Sequence, residues 1–377
     1  MAIYRAAVIG TGRMGSTFDD EMTQGGGIFT PYCHGPAYFY SPLTELVSGA
    51  DIHEEQRSLF GERWGLSRDH LYADYREMLK KEKPDIVSVT TTAKVRSRIV
   101  VDMARSGVKA IWAEKPIALS LEEADRMVRV CQEEGVTLAV NCARRWNPFY
   151  SEGRRMIEAG ELGDVLQVTG YGQCGLSHNG SHLLDIMRYM AGGNVQWVFG
   201  EMESNEAAAG DNDLMGNGYL AYDNGARGFV RSTPVGSTAS WEIDVICERG
   251  RLICRESPPE WTVVREEAGE APGAGSRRRR QGLPVRYPIP WPARMQGTGL
   301  TIIEDVVSAI ETGRPPKCSG DDGLAALETA IALRESHRRG GVKVHLPLKD
   351  RSLLVHSTET LHGDTPVRVR RQLQATS

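Results

Sequence analysis

The chain has 377 residues, 40% of them hydrophobic and 25% charged, with a formal net charge of −4 at pH 7. That length holds two domains and a sizeable core, while the mildly acidic balance gives no reason to expect nucleic acid or a membrane as partner. No run of about eighteen apolar residues marks a membrane span, and Met1 to Arg5 leads at once into a strand without room for a signal peptide. Seven cysteines without CxxC spacing read as free thiols of a cytoplasmic protein.

Ala6 to Ile9 is a short apolar run that predicts a buried strand ending at Gly10. Gly10, Gly12 and Gly15 then form G-x-G-x-x-G, suited to a tight turn, close backbone approach to a pyrophosphate and close helix packing. Phosphate would sit on the N–H groups of the helix expected there. A second strand, Leu43 to Ala50, ends at Asp51, whose carboxylate suits the ribose hydroxyls of NAD and repels the extra phosphate of NADP. His53 and Arg57 stand near enough to tolerate that phosphate, so NAD is expected ahead of NADP. Residues 21–36 lengthen the usual gap of about 20 residues. They read either as a wall or lid near the cofactor mouth or as a surface loop.

Strands at Asp85–Thr90, Val108–Ala113 and Val136–Val140 alternate with helices at Tyr75–Lys81, Val95–Ser106 and from Leu121 to Gly135. A Ser120–Glu123 capping box opens the last helix. The alternation predicts a doubly wound parallel sheet, a Rossmann dinucleotide-binding domain over residues 1–140. Lys115 lies just past an apolar strand, where its ammonium lowers the cost of a developing alkoxide; otherwise it is a surface lysine paired with Glu114.

Residues 141–348 read as a second α/β domain and 349–377 as a tail, an arm onto a partner subunit or a disordered terminus. Strands are expected at Leu162–Gly172, Gln196–Gly200, Gly218–Tyr222, Gly228–Ser232, Glu242–Glu248 and Val342–Leu348, with helices at Leu183–Tyr189, Leu300–Glu311 and Asp321–Arg339. His182 suits a general base, its unperturbed pKa being about 6.5. His178 and His182 also share the i, i+4 spacing of zinc ligands, with Cys174 the one close third candidate; no metal is expected. The run Arg277–Arg280 is either a solvated loop or an attractor for an anionic group. Tyr287–Pro292 is expected to pack near the active site or a neighbouring subunit.

Gly10–Gly15, Thr90–Thr92 and Glu114–Lys115–Pro116, followed by Asn141–Pro148, Glu304–Ile310 and Gly313–Pro316, resemble the glucose–fructose oxidoreductase, inositol dehydrogenase and rhizopine-catabolism (Gfo/Idh/MocA) family. The resemblance extends to about Leu348. It implies a C-terminal domain with a large open, mainly antiparallel sheet, which in this family often pairs face to face, hence a homodimer or homotetramer. It also implies an unusual peptide bond before Pro116. Cofactor contacts are implied for Gly10, Thr11, Gly12, Arg13, Met14, Gly15, Asp51, Thr91, Thr92, Glu114 and Lys115. Substrate contacts are implied for Arg145, Trp146, Asn147, His178 and His182, the first three being otherwise a solvated turn with a packed tryptophan. Family members are similar in a D-x-G-x-H stretch; here His178 replaces the aspartate and His182 keeps the histidine, so Lys115, His182 and His178 form the catalytic set.

The activity implied is NAD(P)-dependent oxidation of a secondary hydroxyl on a sugar, glycoside or cyclitol. One alternative is a redox-neutral, NAD-dependent glycosidase or lyase that oxidises transiently and eliminates, for which two histidines supply acid and base and the arginines suit an anionic glycoside. Another is a nucleotide-sensing regulator without catalysis.

Overall fold

The computed structural model describes residues 3–22, 29–234, 237–239, 241–267 and 283–356. Strands β1 (Tyr4–Ile9), β2 (Thr44–Ala50), β3 (Leu71–Tyr72), β4 (Ile86–Val89), β5 (Ala110–Ala113) and β6 (Thr137–Val140) form one sheet, ordered β3-β2-β1-β4-β5-β6 and parallel throughout. Ala6, Ala7, Val8, Val87, Val89, Ile111 and Ala113 are fully buried, as expected of strands covered on both faces. The helices are α1 (His34–Tyr40), α2 (Glu54–Trp64), α3 (Tyr75–Glu82), α4 (Ala93–Ala104) and α5 (Leu121–Glu133). The capping box forms, with the Ser120 hydroxyl accepting the Glu123 N–H and the Glu123 carboxylate accepting the Ser120 N–H. The stripe Leu121, Ala124, Met127, Val128 and Cys131 is buried.

The first turn departs from expectation. No long helix follows Gly15; a five-residue π-helical turn, Arg13–Thr17, runs into a 3-10 turn, Phe18–Glu21. A regular helix starts only at α1, where Pro36 falls in the first turn and is tolerated. The Asp19 carboxylate accepts the N–H groups of Tyr32 and Cys33 at 3.0–3.1 Å and so fixes the far end of the extra segment beside its start. On its other side, Thr298 N–H donates to the Phe29 carbonyl and Gly299 N–H to the Pro31 carbonyl. The described part of this segment is therefore held to Asp19 on one side and docked on Thr298–Gly299 on the other, rather than lying free on the surface. Residues 23–28, including Gly25–Gly27, lie outside the described residues.

A 3-10 turn at Ala143–Trp146 and α6 (Pro148–Glu158) lead to β7 (Val165–Gly172), α7 (Gly180–Ala191), β8 (Val195–Met202), α8 (Asn205–Ala209), β9 (Gly216–Tyr222) and β10 (Arg227–Ser232). Then come β11 (Glu242–Cys247), β12 (Gly250–Glu256), β13 (Pro259–Glu267), β14 (Leu283–Pro288), α9 (Thr298–Thr312), α10 (Gly320–Arg338) and β15 (Val344–His345). These strands make a nine-stranded sheet ordered β14-β13-β12-β11-β7-β10-β9-β8-β15, antiparallel except where β7 meets β10. Strands β12 to β14 and helices α6 and α8 are additions to the sequence reading, and the last strand shrinks to two residues. Strand β12 was hidden because Arg251 and Arg255 pair with Asp244 and Glu242 across the ladder, which removes the apolar alternation.

Helices α7 and α10 cover one face of this sheet. A Cβ at Gly200 would stand 2.1 Å from the Leu333 carbonyl oxygen, so glycine is what lets α10 lie that close. The other face is open: Leu166, Phe199 and Phe229 are exposed, Tyr219 stacks on Trp197 and meets Phe229 edge-on, and Phe199, Tyr219 and Phe229 line a hollow of about 430 Å³. Residues 349–356 pack on their own chain instead of projecting as an arm. Arg351 pairs with Asp125 on α5 and Glu328 on α10, and the His356 carbonyl accepts the Asp213 N–H at 2.9 Å. The rest of the tail, with Val367–Arg371, and the run Arg277–Arg280 lie outside the described residues.

Candidate active site

The glycine turn leaves β1 at the point where the strand order reverses, the usual ligand crevice of such sheets. Gly10 has φ +93°, which a side chain rarely adopts, and a Cβ on Gly15 would fall 2.2 Å from the Gly10 carbonyl oxygen. Around Gly12 the space is open, with nothing nearer to a Cβ than Gln56 Oε1 at 3.6 Å. The buried hydroxyls of Thr11 and Thr91 have no protein partner. Asp51 Oδ2 accepts the Thr11 N–H and Oδ1 the His53 N–H, both at 2.9 Å, leaving lone pairs for two hydroxyls. Open space, orphaned hydroxyls and a fixed carboxylate fit a dinucleotide. Arg13 is drawn aside, bidentate to Glu21 and 4.3 Å over the Phe18 ring, and Met14 packs against the core. Thr92 stands at the start of α4 without a side-chain capping bond, and Arg96 ties the Thr91 carbonyl to that of Pro116.

At the end of β5, Glu114 is buried. Its Oε1 accepts from Asn141 Nδ2 at 2.6 Å and lies 3.2 Å from His34 Nε2; its Oε2 accepts the Lys115 N–H at 3.1 Å. Burial alone would push this carboxyl up, but His34, Lys115 and Asn141 outweigh it and hold it at about 2. His34 stacks on Trp112 with ring centres 3.5 Å apart, and its Nδ1 lies 2.8 Å from Ser88 Oγ, itself 2.8 Å from Tyr38 Oη. Burial keeps His34 below its ordinary value. The Lys115–Pro116 peptide is cis. Lys115 Nζ crosses to Asn179 Oδ1 at 3.0 Å, joining the first domain to the loop that opens α7.

That loop carries His178, and the first turn of α7 carries His182. The Asp213 carboxylate accepts the N–H groups of Ser177 and His178 at 2.7 and 2.9 Å. His182, 7% exposed, has no partner for Nδ1. Burial, then the charges of Arg144 and Lys115, hold it well below its ordinary value. Burial and Lys115 likewise push His178 down to about 3, so both imidazoles are neutral near pH 7. Arg144 is bidentate to the buried Glu256 at 2.7 and 2.8 Å, and its guanidinium lies 3.8 Å over Trp241, which meets His182 nearly perpendicular. The Tyr32 phenol faces the same space, pushed up by burial and by Glu114.

The model of the oxidoreductase family's NAD-binding Rossmann fold matches residues 4–142, and that of its C-terminal alpha/beta domain matches residues 171–346. The chain belongs to the Gfo/Idh/MocA family. It is an oxidoreductase with an NAD-binding Rossmann fold. Over 372 residues it is 28% identical to scyllo-inositol 2-dehydrogenase (NAD(+)) of Bacillus subtilis, covering 92% of this chain and 97% of that one. Over 332 residues it is 27% identical to D-apiose dehydrogenase of Paraburkholderia graminis, covering 78% and 82%. An inositol dehydrogenase homolog from Azotobacter vinelandii, solved with NADH and myo-inositol, shares the fold with TM-score 0.72 at 19% identity, over 91% of this chain and 98% of that one.

Against the Gfo/Idh/MocA pattern, the structure brings Lys115, His178 and His182 together but redirects the next expected set. Arg145 is bidentate to Asp185, adds Asp322 and donates to the Lys317 carbonyl, all inside the protein. Trp146 is buried and donates to Asp305; the Asn147 side chain caps α6. These three are framework, because the 3-10 turn aims Arg144, not Arg145, at His182. Arg144 stood inside the recognised Asn141–Pro148 stretch, but only the turn's geometry separates it from its neighbour. Asn179 lay between the histidines, and His34 in the extra segment; Asp213 and Trp241 carried no motif. The zinc alternative through Cys174 is not assembled. The only three-ligand cluster among the described residues is Cys142, Asp185 and Cys318, and there Asp185 is taken up by Arg145.

Proposed function

We propose that this enzyme oxidises a secondary hydroxyl of a sugar, glycoside or cyclitol, using NAD in preference to NADP. The observation that carries the reading is the 3.0 Å contact from Lys115 Nζ to Asn179, which sets a cation from one domain beside the helix bearing His182. NAD, when bound, supplies the hydride acceptor. Lys115 then steadies the substrate oxygen as negative charge develops on it. His182, kept neutral, takes the hydroxyl proton. His178 offers a second neutral imidazole to the substrate where relatives resembling D-x-G-x-H place a carboxylate. Glu114 fixes the Lys115 backbone, and Thr11, Thr91, Thr92 and the glycine turn line the cofactor crevice. Asp51 disfavours a 2′-phosphate by charge.

The exposed aromatic face of the nine-stranded sheet supports a homodimer or homotetramer. Seven free cysteines support a cytoplasmic location, and no helix among the described residues is long and apolar enough to cross a membrane. The test is purified protein with NAD or NADP and a panel of sugars, cyclitols and glycosides, following NADH and products together. NADH rising in step with an oxidised product is expected. Cleavage of a glycoside that requires NAD but yields no net NADH would replace this reading with the redox-neutral one.

A further inference from the structure

Trp241 has φ +54°. A bulky aromatic rarely adopts that left-handed conformation, and it persists only where the surroundings over-determine it, most often at a functional site. Here the surroundings form a closed clamp. The Trp241 carbonyl accepts the Glu256 N–H at 3.2 Å, the Glu256 carboxylate holds Arg144, and the Arg144 guanidinium lies 3.8 Å over the indole. Tyr150 donates to Glu256 at 3.2 Å and completes it. The indole packs against the core on one side and is only half-buried, which leaves part of its surface open. Its ring meets that of His182 at 81°, with centres 6.4 Å apart.

We propose that Trp241 is the wall against which the C–H face of a neutral polyol ring rests while its hydroxyl is presented to Lys115 and His182. The proposal rests on the reading of the site as that of a polyol dehydrogenase and names the substrate class. An indole set in place before binding lowers the ordering penalty of association and fixes the ring's orientation. The charges select against an acid. Among the described residues, Lys115 and Arg144 are the cations acting on His182, beside the carboxylates Glu114, Glu256 and Asp213, while Arg13 is held by Glu21 and Arg96 by the Thr91 and Pro116 carbonyls. Arg144 is spent on Glu256, and Lys115 is required at the reacting oxygen. Among the described residues, a uronate or aldonate would therefore meet no cation at the cleft that is not already paired or required by the reaction.

The test measures binding to the NAD-loaded full-length protein by calorimetry and saturation-transfer NMR. The probes are myo-inositol and methyl β-D-glucopyranoside, beside the uronate of the same glycoside. At least one neutral ring is expected to bind about tenfold tighter than the uronate, with its saturated protons confined to one C–H face. Trp241→Leu is expected to weaken binding about tenfold and abolish that pattern; Trp241→Phe, which keeps an aromatic if the leucine variant misfolds, weakens it about threefold. Both variants should raise KM far more than they change kcat. Equal or tighter uronate binding, no binding of either neutral ring, or full affinity in both variants would overturn the proposal. Failure of the dehydrogenase reading looks different: Trp241-dependent binding of a neutral ring with no NADH formed.

Discussion

Below Lys115, both ring nitrogens of His34 and both oxygens of Glu114 have partners within 3.2 Å, and His34 is stacked on Trp112. Across the cleft Arg144, Glu256, Tyr150 and Trp241 are clamped to one another, but the groups beside them are less fully paired. His182 Nδ1 has no protein partner, Trp241 sits at positive φ, and Lys115 reaches over to Asn179, an exposed residue. Buried polar groups are normally satisfied by the protein; the His34–Glu114 pair follows that rule, although Trp112 Nε1 and Asn141 Oδ1 beside it have no partner, so we read the pair as holding shape and the His182 side as keeping capacity for a ligand. Damage should therefore separate cleanly. Changes below Lys115 lower stability, whereas changes across the cleft lower turnover in a protein that still folds.

The largest expected effect is that of Lys115→Met, which should lower kcat/KM about a thousandfold by removing the charge that meets the alkoxide. Its melting temperature should fall far less than that of His34→Ala, since the side chain makes one exposed hydrogen bond and acts on Glu114 only by its charge. A comparable loss of stability would erase the contrast. His34→Ala should destabilise the protein by about 3 kcal/mol in urea unfolding, because it strips a partner from the buried Glu114. His182→Asn should lower kcat about a hundredfold with unfolding unchanged.

A smaller effect comes from pH. His34, His178 and His182 are all held below the ordinary 6.5 in the folded chain, His178 at about 3. The unfolded chain takes up protons first as pH falls, so the stability these histidines contribute is full above pH 6.5 and drains below it, toward their folded values. Each adds about 1.4 kcal/mol per pH unit within its window. Glu114, held at about 2 against 4.5, has the same sign, its contribution being present above pH 4.5 and lost below. Urea unfolding at pH 7.0, 6.0 and 5.0 measures the slope, and His34→Ala should flatten it.

The two sides also differ in how far the sequence disclosed them. Gly10, Gly12, Gly15, Asp51 and Lys115 lie at strand ends, where local pattern sets both turn and position, and His182 opens a helix. Their placement was legible. Arg144 and Arg145 are adjacent, and which of them enters the cleft depends on a four-residue 3-10 turn with no signature of its own. Asp213 and Trp241 arrive from remote parts of the large sheet, and the clamp that holds Trp241 exists only after β11 and β12 have paired. Those contacts are tertiary. The extra segment was legible as an insertion, but its docking depends on Asp19 and on Thr298, which no spacing reveals.

The most direct measurement is the pH profile of kcat/KM for wild type and His182→Asn on a neutral polyol that the enzyme oxidises. A base buried beside Arg144 and Lys115 predicts wild-type activity level from pH 8 down through 6.5, an acid limb well below 6.5, and loss of that limb in the variant. An acid limb at or above 6.5, or the same limb in both proteins, would contradict the role of His182 as the neutral base.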